Sequence, residues 1–108
     1  MTELRSFREI EEEYFRTHPE EIDSYLTLIF EEYAQDRDIA SLLASLRVIS
    51  RVKGITAIAE ETGMTRKGVQ KILSEQGNPK FENITAILQA MGYRLVPQHT
   101  LPPTPFAL

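Results

Sequence analysis

Apolar residues recur along this chain at three- and four-residue intervals almost from its start, the period of helices with one face turned inward. Leu4, Phe7, Ile10 and Tyr14 predict a short amphipathic helix over about residues 3–16, whose apolar face is expected to close the core, with docking on a partner as the alternative. Thr17-His18-Pro19-Glu20 then reads as a capping box, with a hydroxyl cap, a proline in the first turn and a glutamate three residues on. The helix it would open carries Ile22, Tyr25, Leu26, Ile29, Phe30 and Tyr33 and should end near residues 35–37. Asp38 is placed to cap the next, whose apolar face is Ile39, Leu42, Leu43, Leu46 and Ile49 and which Lys53-Gly54 closes. After Gly77-Asn78-Pro79 a last helix presents Phe81, Ile84, Ile87, Leu88 and Met91. Tyr93 to Pro97 has β-type residues and is a candidate short strand, and the proline-rich tail beyond it is expected to be extended. The prediction is an all-α fold of five or six helices. An N-terminal amphipathic helix (1–17) leads into a helical domain (18–97), and an extended tail follows (98–108).

The segment GITAIAEETGMTRKGVQKILS has a pattern of its own. Two helices crossing at close range through a turn of three or four residues need a small residue at the crossing and a turn residue that accepts positive φ. Ala59 and Gly63 meet those needs, and Ile58, Met64, Val69 and Ile72 point apolar groups into the angle. Thr65 is placed to cap the second helix. Residues 55–74 therefore read as a helix-turn-helix. The outward positions of its second helix are Arg66, Lys67, Gln70, Lys71 and Ser74, with Thr65 at the cap. Arginine and glutamine can pair bidentately with guanine and adenine edges, and lysine suits guanine or phosphate. The start of such a helix does most of the base reading, which favours Thr65, Arg66 and Lys67, with Gln70 one turn on. Lys71 and Ser74 fall to phosphates or flanks, and Thr56, Lys80 and Asn83 are candidates for gripping the backbone. Gly68 fits poorly, since glycine inside a helix costs about 1 kcal/mol relative to alanine.

A net charge of −4 at first argues against a nucleic-acid partner, but its distribution reverses that. Residues 1–46 hold four basic and twelve acidic side chains, a net of −8, whereas residues 47–80 hold seven basic and three acidic, a net of +4. Such asymmetry suggests two surfaces for two partners. With no cysteine and only two histidines, neither a disulfide framework nor a thiolate or zinc site is expected, and no cofactor is implied. The carboxylates are spread along helix faces without a convergent histidine or lysine, so no enzymatic activity is expected. No run of about 18 apolar residues is present and the first residues lack the apolar core of a signal peptide, so a cytoplasmic location is the default.

From about His18 to Val96 the sequence resembles HigA-like addiction-module antidote proteins, antitoxins with a phage-repressor (Xre/Cro-type) helix-turn-helix. The resemblance rests on T-G-M-T-R, K-I-L-S-E-Q-G-N-P and A-M-G-Y within residues 54–95, and on the lead-in PEEIDSYLTLIFEEY with DIASLLASLRVISRVKG. It implies direct binding of a small basic toxin and, as a homodimer, repression of the chain's own operon at an inverted-repeat DNA operator. The positions it carries over for DNA reading are Thr65, Arg66, Lys67, Gln70 and Lys71. The chain departs from it at Gly68-Val69-Gln70, where the family has a bulkier residue and an aromatic, which bears on the operator sequence and not on the mode of binding. Glu11–Glu13, Glu20-Glu21 and Glu31-Glu32 would suit a basic partner. A stand-alone regulator without a toxin, and a protein–protein adaptor on the same scaffold, stay open from sequence. Met91-Gly92-Tyr93 and the strand after it are the candidate dimer surface.

Overall fold

Residues 6–74 and 78–100 are described in a computed structural model of the chain. Among them the element order is α1 (Phe7–Thr17), a 3-10 turn (Pro19–Glu21), α2 (Ile22–Asp36), α3 (Ile39–Lys53), α4 (Ile55–Thr62), α5 (Arg66–Ile72) and α6 (Phe81–Ala90), with no strand. The fold is all-α, as expected.

The centre is α3. Its Asp38 cap accepts from the Ser41 amide at 3.1 Å, as the sequence predicts. Leu42, Leu43, Leu46 and Ile49 are buried, and so are Ala44, Ser45, Val48 and Ser50, because α1, α2 and α4 all pack on this helix. Of the two buried serines, Ser50 donates its hydroxyl to the Met91 sulfur at 3.8 Å. Ile39 lies outside the core and is exposed, because it occupies the first turn, before α3 enters the bundle. Phe81 is exposed for the same reason at the start of α6, while Ile87, Leu88 and Met91 further along are buried. Both were expected inside.

Two expectations at the N-terminal end are overturned. Thr17 caps nothing. It ends α1, and its hydroxyl donates back to the Tyr14 carbonyl at 3.0 Å. Pro19 then starts a 3-10 turn with no side-chain cap. The capping box lies at the other end of α1, where Ser6 Oγ accepts from the Glu9 amide (3.1 Å) and Glu9 Oε1 from the Ser6 amide (2.9 Å). The apolar stripe of α1 also fails to enter the core: Phe7, Ile10 and Tyr14 are 68%, 52% and 42% exposed. Instead α1 rests on Arg8, Glu11, Glu12 and Phe15, of which only Phe15 is buried. Glu12 accepts from Arg16 at 2.7 Å and lies 3.9 Å from Arg51 of α3, Glu11 accepts from Tyr25 of α2 at 3.3 Å, and Phe15 packs on Tyr25.

The candidate strand is absent. Residues 93–100 form no ladder and run beside α2, bordering an open groove of about 710 Å³. Gly92, at φ 94°, turns the chain out of α6, and the Tyr93 amide closes the turn on the Leu88 carbonyl at 2.9 Å. The Tyr93 hydroxyl donates to Asp23 of α2, and the Lys53 ammonium stands 5.5 Å over its ring. Met91, named for the dimer surface, is buried, while Tyr93 is half-buried and engaged on α2. Residues 101–108, including most of the proline-rich tail, lie outside the described residues.

Candidate nucleic-acid interface

Backbone chemistry fixes the α4–α5 pair. Gly54 ends α3 and caps α4 in one residue, at φ 111°, so no linker separates the central helix from the pair. Ile55, Ile58 and Ala59 turn inward from α4 and are buried. At its end the Thr62 hydroxyl donates to the Ile58 carbonyl at 2.8 Å and accepts from the Met64 amide at 3.3 Å. Gly63 between them takes the left-handed conformation, φ 76°, which a side chain disfavours. Two residues later the Thr65 hydroxyl accepts from the Gly68 amide at 2.9 Å and starts α5.

Gly68 is explained by that cap. A Cβ added to it would lie 3.0 Å from Thr65 Oγ1, too close for an ordinary contact. The residue that fits poorly by helix propensity keeps room for the hydroxyl that begins the helix.

Val69 is buried on the inner side of α5, Met64 and Ile72 are half-buried against the core, and Leu73 just past the helix is fully enclosed. Sequence reasoning missed Leu73 and the residue that holds it. The Arg47 guanidinium of α3 donates to the Leu73 carbonyl at 2.7 Å, a charged clamp on the end of α5 from 26 residues away. Its sequence signal is a cation set among the apolar residues Leu42, Leu43, Leu46, Val48 and Ile49 of α3.

The opposite side of α5 presents the predicted residues. Lys67, Gln70 and Lys71 share one face at i, i+3 and i+4, with Arg66 beside them, and all four are exposed. Among the described residues no ion pair engages Arg66, Lys67 or Lys71, and α5 contains no acidic residue. Thr65 is exposed but committed to the cap, and the half-buried Ser74 donates to the Lys71 carbonyl at 2.9 Å, so both serve their own backbone. Thr56 is exposed in the first turn of α4, Lys80 is exposed as the residue preceding α6, and Asn83 is half-buried in the first turn of α6. Their helices pack together, α4 on both α5 and α6. The arrangement is a short helix packed on α4 and α6 and clamped by Arg47 of α3, with cations and an amide on its exposed face.

The model of a family described as "Probable addiction module antidote protein" matches residues 6–99. The chain belongs to this family. As an antidote-family chain it is also 32% identical over 84 residues to an uncharacterized protein of Haemophilus influenzae, covering 78% of this chain and 82% of the relative. No solved structure matches. The family match takes in α1 as well as the α4–α5 pair. Among the described residues no helix of this antidote-family chain is long and apolar enough to cross a membrane.

Proposed function

We propose that this chain is the antitoxin of a toxin–antitoxin module. It binds its toxin directly and represses its own operon through sequence-specific DNA binding. In this reading α4 and α5 form a helix-turn-helix of the phage-repressor (Xre/Cro) type found in HigA-like proteins, and α5 enters the major groove. The observation that carries the DNA half is the outer face of α5, where Arg66, Lys67, Gln70 and Lys71 are exposed together on a helix clamped at both ends. Family membership carries the antidote half. Arg66 and Gln70, one turn apart, reach base edges, and Lys67 and Lys71 neutralise phosphates or read guanine. Thr56, Lys80 and Asn83 grip the flanking backbone. The protein works in the cytoplasm without a cofactor, and catalysis has no part in this reading.

One such unit reads few bases, and each good pair contributes only about 1–3 kcal/mol of discrimination. A homodimer on an inverted repeat supplies the rest, with half-sites about 34–36 Å apart or a multiple of that. The test is a gel shift and footprint on the promoter of the chain's own gene. Arg66→Ala should relax base preference at one position. Lys71→Ala should weaken binding to every sequence and flatten its salt dependence. Unchanged operator affinity in both variants would remove α5 from the interface.

A further inference from the structure

An amphipathic helix normally buries its apolar stripe, and α1 does the reverse. Its inward side is Arg8, Glu11, Glu12 and Phe15, held by Arg51 and Tyr25, while Phe7, Ile10 and Tyr14 form a continuous i, i+3, i+7 stripe toward solvent. Tyr14 is steadied there, stacked on His18 at 4.3 Å and donating to Glu21 at 2.6 Å. The charge around the stripe is mainly negative, with the Arg8 guanidinium 5.8 Å over the Phe7 ring as a cation at its start. Arg8 and Arg16 pair with Glu11 and Glu12, at 2.8 and 2.7 Å, and four further carboxylates are exposed along the helix and the turn after it: Glu9, which also caps α1, Glu13, Glu20, and Glu21, which also accepts from Tyr14.

We infer that the outward stripe of α1 is a docking surface for a cationic protein partner, one whose apolar groove takes Phe7, Ile10 and Tyr14 and whose basic rim meets the four glutamates. This rests on the antitoxin reading, in which that partner is the toxin. An apolar anchor inside a ring of complementary charge divides the work of binding. The aromatic and aliphatic groups slow dissociation, and the carboxylates speed association and select for a basic surface. The surface is separate from α5, so toxin and operator would be held by different elements of one chain.

The test uses the full chain and the purified product of the reading frame adjoining its gene, with binding followed by surface plasmon resonance at two salt concentrations. Phe7→Ala with Ile10→Ala, both at exposed positions, should weaken binding by roughly 30-fold, mainly through faster dissociation, with helicity and the operator gel shift unchanged. Glu13→Gln with Glu20→Gln should slow association and reduce its salt dependence. If the wild type binds and both double variants bind equally well, the inference falls and the antitoxin reading stands. If the wild type does not bind that product, the antitoxin reading falls and takes the inference with it. A Phe7/Ile10 variant that binds the product normally but changes its sedimentation would overturn the inference in favour of contact between two copies of this chain.

Discussion

Gly63 and Gly68 lie five residues apart and serve opposite purposes. Gly63 is required for its backbone, since its φ of 76° belongs to the left-handed region. Gly63→Ala should therefore cost about 1–2 kcal/mol, read as a lower urea midpoint with unchanged slope. Asparagine at the same position should cost less. Gly68 has an ordinary helical backbone and is required for space. An exposed Gly→Ala change within a helix usually stabilises by about 1 kcal/mol, but here the new methyl would press on the Thr65 hydroxyl. Gly68→Ala alone should give little or no gain, while the same change in a Thr65→Ala background should recover most of it, a coupling that a double-mutant cycle in urea would measure. The turn glycine was legible because turns announce themselves in sequence. Gly68 was not, since its reason is a contact with a side chain whose rotamer the sequence does not state.

At the scale of elements, α5 is short and makes few bonds of its own, so neighbouring elements determine its orientation. Leu73→Ala should destabilise the chain by about 2–5 kcal/mol, as for other buried leucines. Arg47→Met should cost about 1.5–3 kcal/mol, because the clamped carbonyl loses a charged donor. Chemical denaturation measures both, and under the proposed DNA-binding reading Arg47→Met should in addition reduce operator affinity with Arg66 and Gln70 unchanged. Helix positions and most caps could be read from periodicity: α2 ends at Asp36, α3 starts behind Asp38, and α5 starts behind Thr65. Which face of α1 turns inward could not, for that depends on Arg51 and Tyr25, far away in sequence, offering partners to its glutamates. Apolar spacing alone gave the wrong side. The strand at 93–97 failed similarly, because β-type residues need an edge to pair with, and these run beside a helix.

Across the whole molecule, the Tyr93 phenol ties the C-terminal segment to α2. Burial and the bond to Asp23 push the Tyr93 hydroxyl up to about 12 from its usual value near 10. Since the folded form holds this proton more tightly than the unfolded one, the stabilisation is complete below about pH 10 and is lost as pH rises toward 12. Tyr14, through its bond to Glu21, and Tyr25, through burial, shift the same way and add to the trend. Urea midpoints measured between about pH 9 and 12 should fall with rising pH, and less steeply in Tyr93→Phe. The two ends of the fold are therefore fastened differently. The tether at one end needs a protonated phenol. At the other, α1 contributes one enclosed ring and otherwise stays in place through ion pairs and hydrogen bonds near water. Fastenings of that kind loosen as ionic strength rises. Amide protons of α1 should exchange with solvent ahead of those of α3, and a protease that waits for brief openings should make its first cut in that helix while the remaining bundle still resists digestion.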